Sequence, residues 1–192
     1  MTRPYIHPAS IVEDDVSIGN NTRIWTFVHI LPNVKIGSDC NICDHVLIES
    51  EVTIGDRVTV KSGIYLWRGV SIEDDVFLGP NVVFTNDKAP RSKRYPVELS
   101  RTLVRKGASI GANATILPEV EIGEFAMVGA GTVVTKSVQK HALVVGNPGQ
   151  LVGWVCQCGI RLDVSGDEAL CACGARFSKT GETNIEAINR CP

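Results

Sequence analysis

Two tetrapeptides near the C-terminus, Cys-Gln-Cys-Gly at 156–159 and Cys-Ala-Cys-Gly at 171–174, present four thiols in matched pairs, with 12 residues between Cys158 and Cys171. Four thiolates from two tight turns suit a tetrahedral zinc ion, and the glycine after each pair permits the turn. The expected ligands are Cys156, Cys158, Cys171 and Cys173, although the spacing is one residue short of the commoner Cys-x-x-Cys. Cys191 is left over in a terminal segment expected to be mobile. A second concentration of chemistry runs from Asn86 to Lys106. It carries Lys88, Arg91, Lys93, Arg94, Arg101, Arg105 and Lys106 against Asp87 and Glu98. Clustered cation in a chain of net charge −2 implies a local anionic partner, held by charge-assisted and, for Arg, bidentate hydrogen bonds.

These groups must be positioned by a repeat. Stepping by six from Ile6 meets Val12, Ile18, Ile24, Ile30, Ile36, Ile42, Ile48, Ile54, Val60, Leu66, Ile72, Leu78 and Phe84, all large and apolar. A glycine often follows the aliphatic (Gly19, Gly37, Gly55, Gly79), as expected where the backbone turns tightly. The beat resumes at Val104 and runs through Ile110, Ile116, Ile122, Val128 and Val134. A period of six fits neither an amphipathic helix nor a simple half-buried strand. It fits an all-β solenoid, a parallel β-helix of hexapeptide repeats with three hexads per coil. Residues 18 apart then stack, about 4.8 Å from coil to coil. Arg68 falls under Asn86 and Trp67 under Thr85, while His29 and His45 share a region with Lys61 and Tyr65 one coil further. In the same phase Cys40 points inward and Cys43 sits at a corner, so these two share no metal. Nineteen residues separate Phe84 from Val104, the length of a functional excursion. The implied organisation is a β-helix over 1–153 with a loop excursion at 85–103, a zinc knuckle over 154–180 and a flexible tail over 181–192.

Composition narrows the partners. A net charge of −2 speaks against nucleic acid and against anionic membrane surfaces. No apolar run reaches the roughly 18 residues of a spanning helix, and "MTRPYIHPAS" lacks the core of a signal peptide. A cytoplasmic setting with reduced thiols is therefore expected.

"IGSDCNICDHVLIESEVTIGDRVTVKSG" and "IGANATILPEVEIGEFAMVGAGTVV" resemble the hexapeptide-repeat acyltransferases, whose fold is a left-handed parallel β-helix. "IWTFVHILPNVKIGSDCNICDHV", "FTNDKAPRSKR" and "GAGTVVTKSVQKHALVVGNP" are similar to N-acetyltransferases of nucleotide-linked 3-amino sugars, nearest to those acting on UDP-2-acetamido-3-amino-2,3-dideoxyglucuronate. The resemblance implies an acetyl-CoA cosubstrate, a UDP- or dTDP-linked amino sugar acceptor, and a homotrimer with sites between subunits. It places Asn86 beside the reacting amine, and the donor along Gly111, Ala112, Gly129, Ala130, Lys136 and Pro148. Arg68, Lys61, Tyr65, Arg91 and Arg94 are the expected substrate contacts. His29 and His45 are candidates for a general base, or equally for interface residues. Other acceptors remain open, as does a non-catalytic scaffold. A three-histidine metal hydratase is disfavoured, because His7 and His141 lie far from His29 and His45 along the repeat.

Overall fold

The chain, described by a computed structural model over residues 2–94, 100–181, 184–189 and 191, is a three-faced prism of stacked coils. Glu98 of the excursion lies outside the described residues. Face 1 begins with Tyr5–Ile6 and Arg23–Ile24, face 2 with Ile11–Val12 and His29–Ile30, face 3 with Ser17–Ile18 and Lys35–Ile36. On every face the register advances by one coil: Tyr5 lies beside Arg23, Ile11 beside His29, Ser17 beside Lys35. Successive coils run parallel and exchange backbone hydrogen bonds, Trp25 N–H to Ile42 O at 2.9 Å and Gly37 N–H to Ile54 O at 2.9 Å among them. The fold is the left-handed β-helix that the hexads imply.

Each hexad turns two side chains inward, such as Val28 with Ile30, Val34 with Ile36 and Cys40 with Ile42, all essentially inaccessible. The narrow interior explains the Ile and Val content, since β-branched side chains stand compactly on a pleated strand. Corners recur every six residues with one residue of positive φ, at Asp15, Asn21, Phe27, Asn33, Asp39, His45, Glu51 and Arg57 in the early coils. Asn and Asp tolerate that conformation best among non-glycine residues, and they supply four of these eight corners. Gly19, Gly37, Gly55 and Gly79 are not these residues, so the tight-turn reading of them is corrected. A Cβ at Gly37 would lie 2.6 Å from the carbonyl carbon of Gly55, and one at Gly111 2.5 Å from the Ala130 nitrogen. Glycine is required there by the approach of the next coil.

The excursion is shorter than the gap between Phe84 and Val104 suggests. Across it Val83 pairs with Thr115, and Ser71 with Leu103, a step of 32 residues in place of 18, so the insertion is 14 residues. Both of its ends are fastened to Glu119 on the next coil, through Lys88 on the way out and the Ser100 hydroxyl, at 3.2 Å, on the way back. The Lys88 ammonium holds the Glu119 carboxyl below its usual range.

The two ends of the prism differ. Ile6, in the first coil, is 40% exposed. At the other end Gln150–Val155 folds back antiparallel on Ala142–Val145 and is extended by Arg161–Leu162. The domain boundary expected at 153/154 therefore falls inside a strand. A separate sheet of Glu168–Leu170, Arg176–Lys179 and Ile185–Ala187 follows, so part of the expected flexible tail is a paired strand. Trp154, Leu162 and Phe177 pack into the same apolar cluster as the last coils. His141 is buried between Phe125 and Phe177 and its Nδ1 lies 3.0 Å from Val155 O; burial lowers its pKa.

Two outcomes follow. Gly111→Ala lowers stability by about 1–3 kcal/mol through overpacking, whereas Gly166→Ala, where nothing lies within 4 Å of the added Cβ, leaves the denaturation midpoint unchanged. Glu119→Gln releases the excursion, so trypsin cleaves after Arg91, Lys93 or Arg94 several-fold faster while the thermal midpoint stays at the wild-type value.

Candidate active site

Asn86 stands two residues beyond Val83–Phe84, at the corner where face 2 turns into face 3. Its coil is braced from below. The Trp67 indole N–H donates to Phe84 O at 2.9 Å, the Tyr65 ring meets Trp67 edge-on at 5.8 Å, and the Thr85 hydroxyl donates to Ile116 O at 3.0 Å. These contacts fix the backbone on either side of Phe84 and so aim Asn86. The Asn86 amide is half-buried and has no hydrogen-bond partner among the described residues. A rigidly mounted, unengaged amide offers one acceptor and two donors to a ligand.

Arg68 lies one coil below Asn86, as the 18-residue step requires. Its guanidinium is already engaged: Nε donates to Glu51 Oε2 at 3.0 Å and Nη2 to Glu51 Oε1 at 2.6 Å, while its backbone N–H donates to Glu49 Oε2 at 2.7 Å. Glu13, Glu49 and Glu51 make this edge of the lower coils acidic. His29 lies on the outer side of face 2, with Nε2 3.0 Å from Glu13 Oε1. It sits three coils below Val83, about 14 Å along the axis. His45 occupies the opposite edge of face 2, where its ring meets Phe27 at 5.1 Å, and Lys61 follows Thr59–Val60 at that same edge. The structure thus groups Asn86, Arg68 and Tyr65, and holds His29, His45 and Lys61 away from them within one chain.

The cations of the excursion also divide. Arg105 pairs with Glu73 at 3.0 Å and Glu121 at 2.9 Å, and Lys106 with Asp75 at 3.7 Å, all at the edge between faces 3 and 1. Lys88 is held by Glu119. Arg91, Lys93 and Arg94 remain exposed, on a turn closed by an antiparallel bridge between Arg91 and Arg94. None of these three forms an ion pair among the described residues, and neither does the exposed Arg101 at the returning end.

The donor candidates bracket face 2. Gly111, Ala112, Gly129 and Ala130 stack along its edge with face 1, and their small size is accounted for by coil contact: a Cβ at Gly129 would lie 2.7 Å from a Val145 methyl. Lys136 follows Val133–Val134 on the other edge, two coils above Asn86, about 10 Å away. Pro148 lies in the turn whose Gly149 N–H donates to Val133 O at 2.8 Å. A cavity of about 270 Å³ opens here, lined by Lys136, Ser137, Gln139, Gly149 and Leu151. Another hollow, about 810 Å³, lies elsewhere, on face 1 of the first coils around Tyr5, Arg23, Trp25 and Asn41. The Trp25 indole donates to Asn41 Oδ1 at 2.7 Å there. That hollow escaped the sequence reading, and its signal was the row of outward aromatic and Arg side chains at 5, 23 and 25.

In the C-terminal segment the sulfurs converge. Cys156 and Cys173 Sγ are 3.5 Å apart, as are Cys158 and Cys171. Cys191, expected to be left over, joins them: the sulfurs of Cys156, Cys158, Cys173 and Cys191 all lie within 4.8 Å of one another. The Ala175 backbone N–H brings the Cys173 thiol down to about 6, and donating its S–H to Cys173 takes Cys191 up to about 11. An all-sulfur donor set of this size can hold a metal ion.

The match to known proteins is extensive. The bacterial transferase hexapeptide (six repeats) model matches residues 15–50 and 101–136. The dTDP-3-amino-3,6-dideoxy-alpha-D-galactopyranose 3-N-acetyltransferase of Aneurinibacillus thermoaerophilus is 60% identical over 173 residues, 90% of each chain. Among solved structures, a perosamine N-acetyltransferase variant from Caulobacter crescentus, in complex with CoA and GDP-perosamine, shares the fold at TM-score 0.57 and 22% identity, over 79% of this chain and 57% of that one. A variant of the N-acyltransferase AntD from Bacillus cereus, with dTDP and coenzyme A, does so at 0.52 and 21%, over 76% and 83%. The coil stack, its interruption after Phe84 and the near-full-length identity lead to one assignment: the chain belongs to the hexapeptide-repeat acyltransferases, in the group of N-acetyltransferases of nucleotide-linked 3-amino sugars.

Proposed function

We propose that this enzyme transfers the acetyl group of acetyl-CoA to the 3-amine of a dTDP-linked 3-amino-3,6-dideoxyhexose. The observation that carries this reading is 60% identity, over 90% of both chains, to an enzyme named for that reaction on the galactose isomer. The neutral amine attacks the thioester carbonyl carbon, a C–N bond forms, the C–S bond breaks, and the amine proton passes to the departing thiolate. A sugar amine flanked by electronegative substituents is less basic than lysine and nearer to about 8, so it needs little help to lose its proton. Alignment of amine and thioester supplies the larger share of catalysis. Asn86, unengaged and rigidly mounted, is the positioning group in this reading. Arg91, Lys93 and Arg94 bind the nucleotide pyrophosphate, and Lys136 meets a phosphate of coenzyme A.

The same reading makes the enzyme a cytoplasmic homotrimer. The outer side of face 2 supports assembly, with Ile11 57%, Tyr65 52% and Val83 48% exposed, as at an uncovered interface. Because His29 and His45 lie coils away from Asn86 in their own chain, any part they take in the reaction is taken across that interface. The thiol cluster holds a structural zinc ion, by the preference of an all-thiolate tetrahedral set for zinc.

The test is acetyl-CoA with dTDP-3-amino-3,6-dideoxygalactose and its UDP-linked counterpart, read as free thiol. Turnover is expected with the dTDP sugar, and Asn86→Ala is expected to lower kcat/KM by more than about 100-fold with the fold intact. Turnover of the UDP sugar alone overturns the nucleotide assignment; full activity of Asn86→Ala overturns the positioning role. Light scattering in solution is expected to give three times the 20.7 kDa chain mass.

A further inference from the structure

The two cysteine turns are built alike. In the first, Cys156 N–H donates to Ile160 O and Gly159 N–H to Cys156 O, both at 2.8 Å. In the second, Cys171 N–H donates to Ala175 O at 2.8 Å and Gly174 N–H to Cys171 O at 2.9 Å. Gly159 and Gly174 carry positive φ of 84° and 91°. A zinc–sulfur bond of about 2.3 Å sets the edge of a tetrahedron of sulfurs at about 3.8 Å. The Cys156–Cys173 and Cys158–Cys171 separations, both 3.5 Å, are close to that edge and pair one sulfur from each turn.

A fifth sulfur is brought to the same place by contacts of its own. Ile185–Ala187 pairs with Arg176–Lys179, and Ile188 N–H donates to Arg176 O at 2.8 Å. The Asn189 carboxamide then spans the second turn, its Oδ1 accepting from Arg176 N–H at 2.5 Å and its Nδ2 3.4 Å from Gly174 O. Cys191 follows two residues later, its sulfur within 4.8 Å of those of Cys156, Cys158 and Cys173. Cys156, Cys158, Cys173 and Cys191 form one mutually close set, and Cys171 stands beside it with its sulfur 3.5 Å from that of Cys158, so a tetrahedral ion has five thiols at hand for four places.

We propose that Cys171 and Cys191 alternate as the fourth ligand of one zinc-class ion held constantly by Cys156, Cys158 and Cys173. This rests on the metal reading of the cluster above. The chain end is then a working part of the site, latched by Asn189, and the ion keeps a complete thiolate set when either alternate ligand leaves.

The test uses the full-length protein with Cys171→Ser, Cys191→Ser and the double variant. Metal content is read by elemental analysis, and thiolate number by the charge-transfer absorption of the cobalt-substituted protein. The expected result is one metal per chain and a four-thiolate cobalt spectrum for wild type and for each single variant. The double variant is expected to show a three-thiolate spectrum and an affinity lower by more than about 100-fold, beyond the range of outer-shell changes. Either single variant behaving like the double variant overturns the alternation. A wild-type protein that neither contains zinc nor binds cobalt overturns the metal reading itself. Should the double variant fail to fold, Cys171→Ser with Asn189→Ala keeps the test: it unlatches the chain end without removing the Cys191 thiol. Loss of the four-thiolate spectrum there supports the proposal, and its retention overturns it.

Discussion

Parallel stacking of coils at a constant 18-residue step is the interaction on which the rest depends. Each coil satisfies its backbone groups with the coil above and the coil below, so no coil of this length holds its shape alone. Side chains inherit their positions from the stack: every inward slot lies over an inward slot, every corner over a corner. This is why the interior accepts little beyond Val, Ile, Leu and Ala, and why three edges run the length of the molecule as ladders of polar groups. It also makes an insertion cheap at one place only. Extra residues can leave at a corner and return at the next strand, as they do after Asn86, provided the strands on either side keep their register.

The polar edges are specialised by the charges that stack on them. The edge between faces 3 and 1 is a closed network of Arg57, Asp75, Arg105, Glu73, Glu121 and Lys106, and the Asp75 carboxyl is held below its usual range by the Arg57 guanidinium. Arg57 also meets Asp56 and Asp74 there, so each of these three cations is already held by carboxylate. The edge between faces 2 and 3 is different. Its lower coils are acidic and self-paired through Arg68 and Glu51, but above them Asn86 stays unengaged and the Arg91–Arg94 turn stays unneutralised. Unpaired positive charge thus stands at this edge in a chain whose net charge is −2.

Much of this was legible in the sequence. The hexad phase revealed the inward slots, because a prism of this width fills them almost wholly with apolar side chains, Thr22, Thr102 and Thr132 being the buried exceptions, and the same phase separated Cys40 from Cys43 and stacked Arg68 under Asn86. What it hid was anything set by the true length of the excursion. With 14 inserted residues, Arg105 lands between Glu73 and Glu121; until that number is known, Arg105 and Lys106 read as free loop charge. The glycines at 19, 37, 55 and 79 were visible but misread, since the close approach of a neighbouring coil leaves no local mark. Cys191 was invisible as a partner of the other thiols because it is delivered by a strand pairing and by Asn189 at long range. His29 and His45 looked like neighbours of the site, and within one chain they are several coils from Asn86.

The cut of the first coil into short segments bears on how these molecules avoid one another. Its free backbone groups belong to three segments, Tyr5–Ile6, Ile11–Val12 and Ser17–Ile18, each two residues long and turned away from the next by a corner. A stray extended peptide could satisfy only one of them, and then only for two residues, too little to nucleate a fibril. Only an object with the same triangular outline, rotated into phase, could satisfy all three at once. The first coil is thereby guarded by its shape.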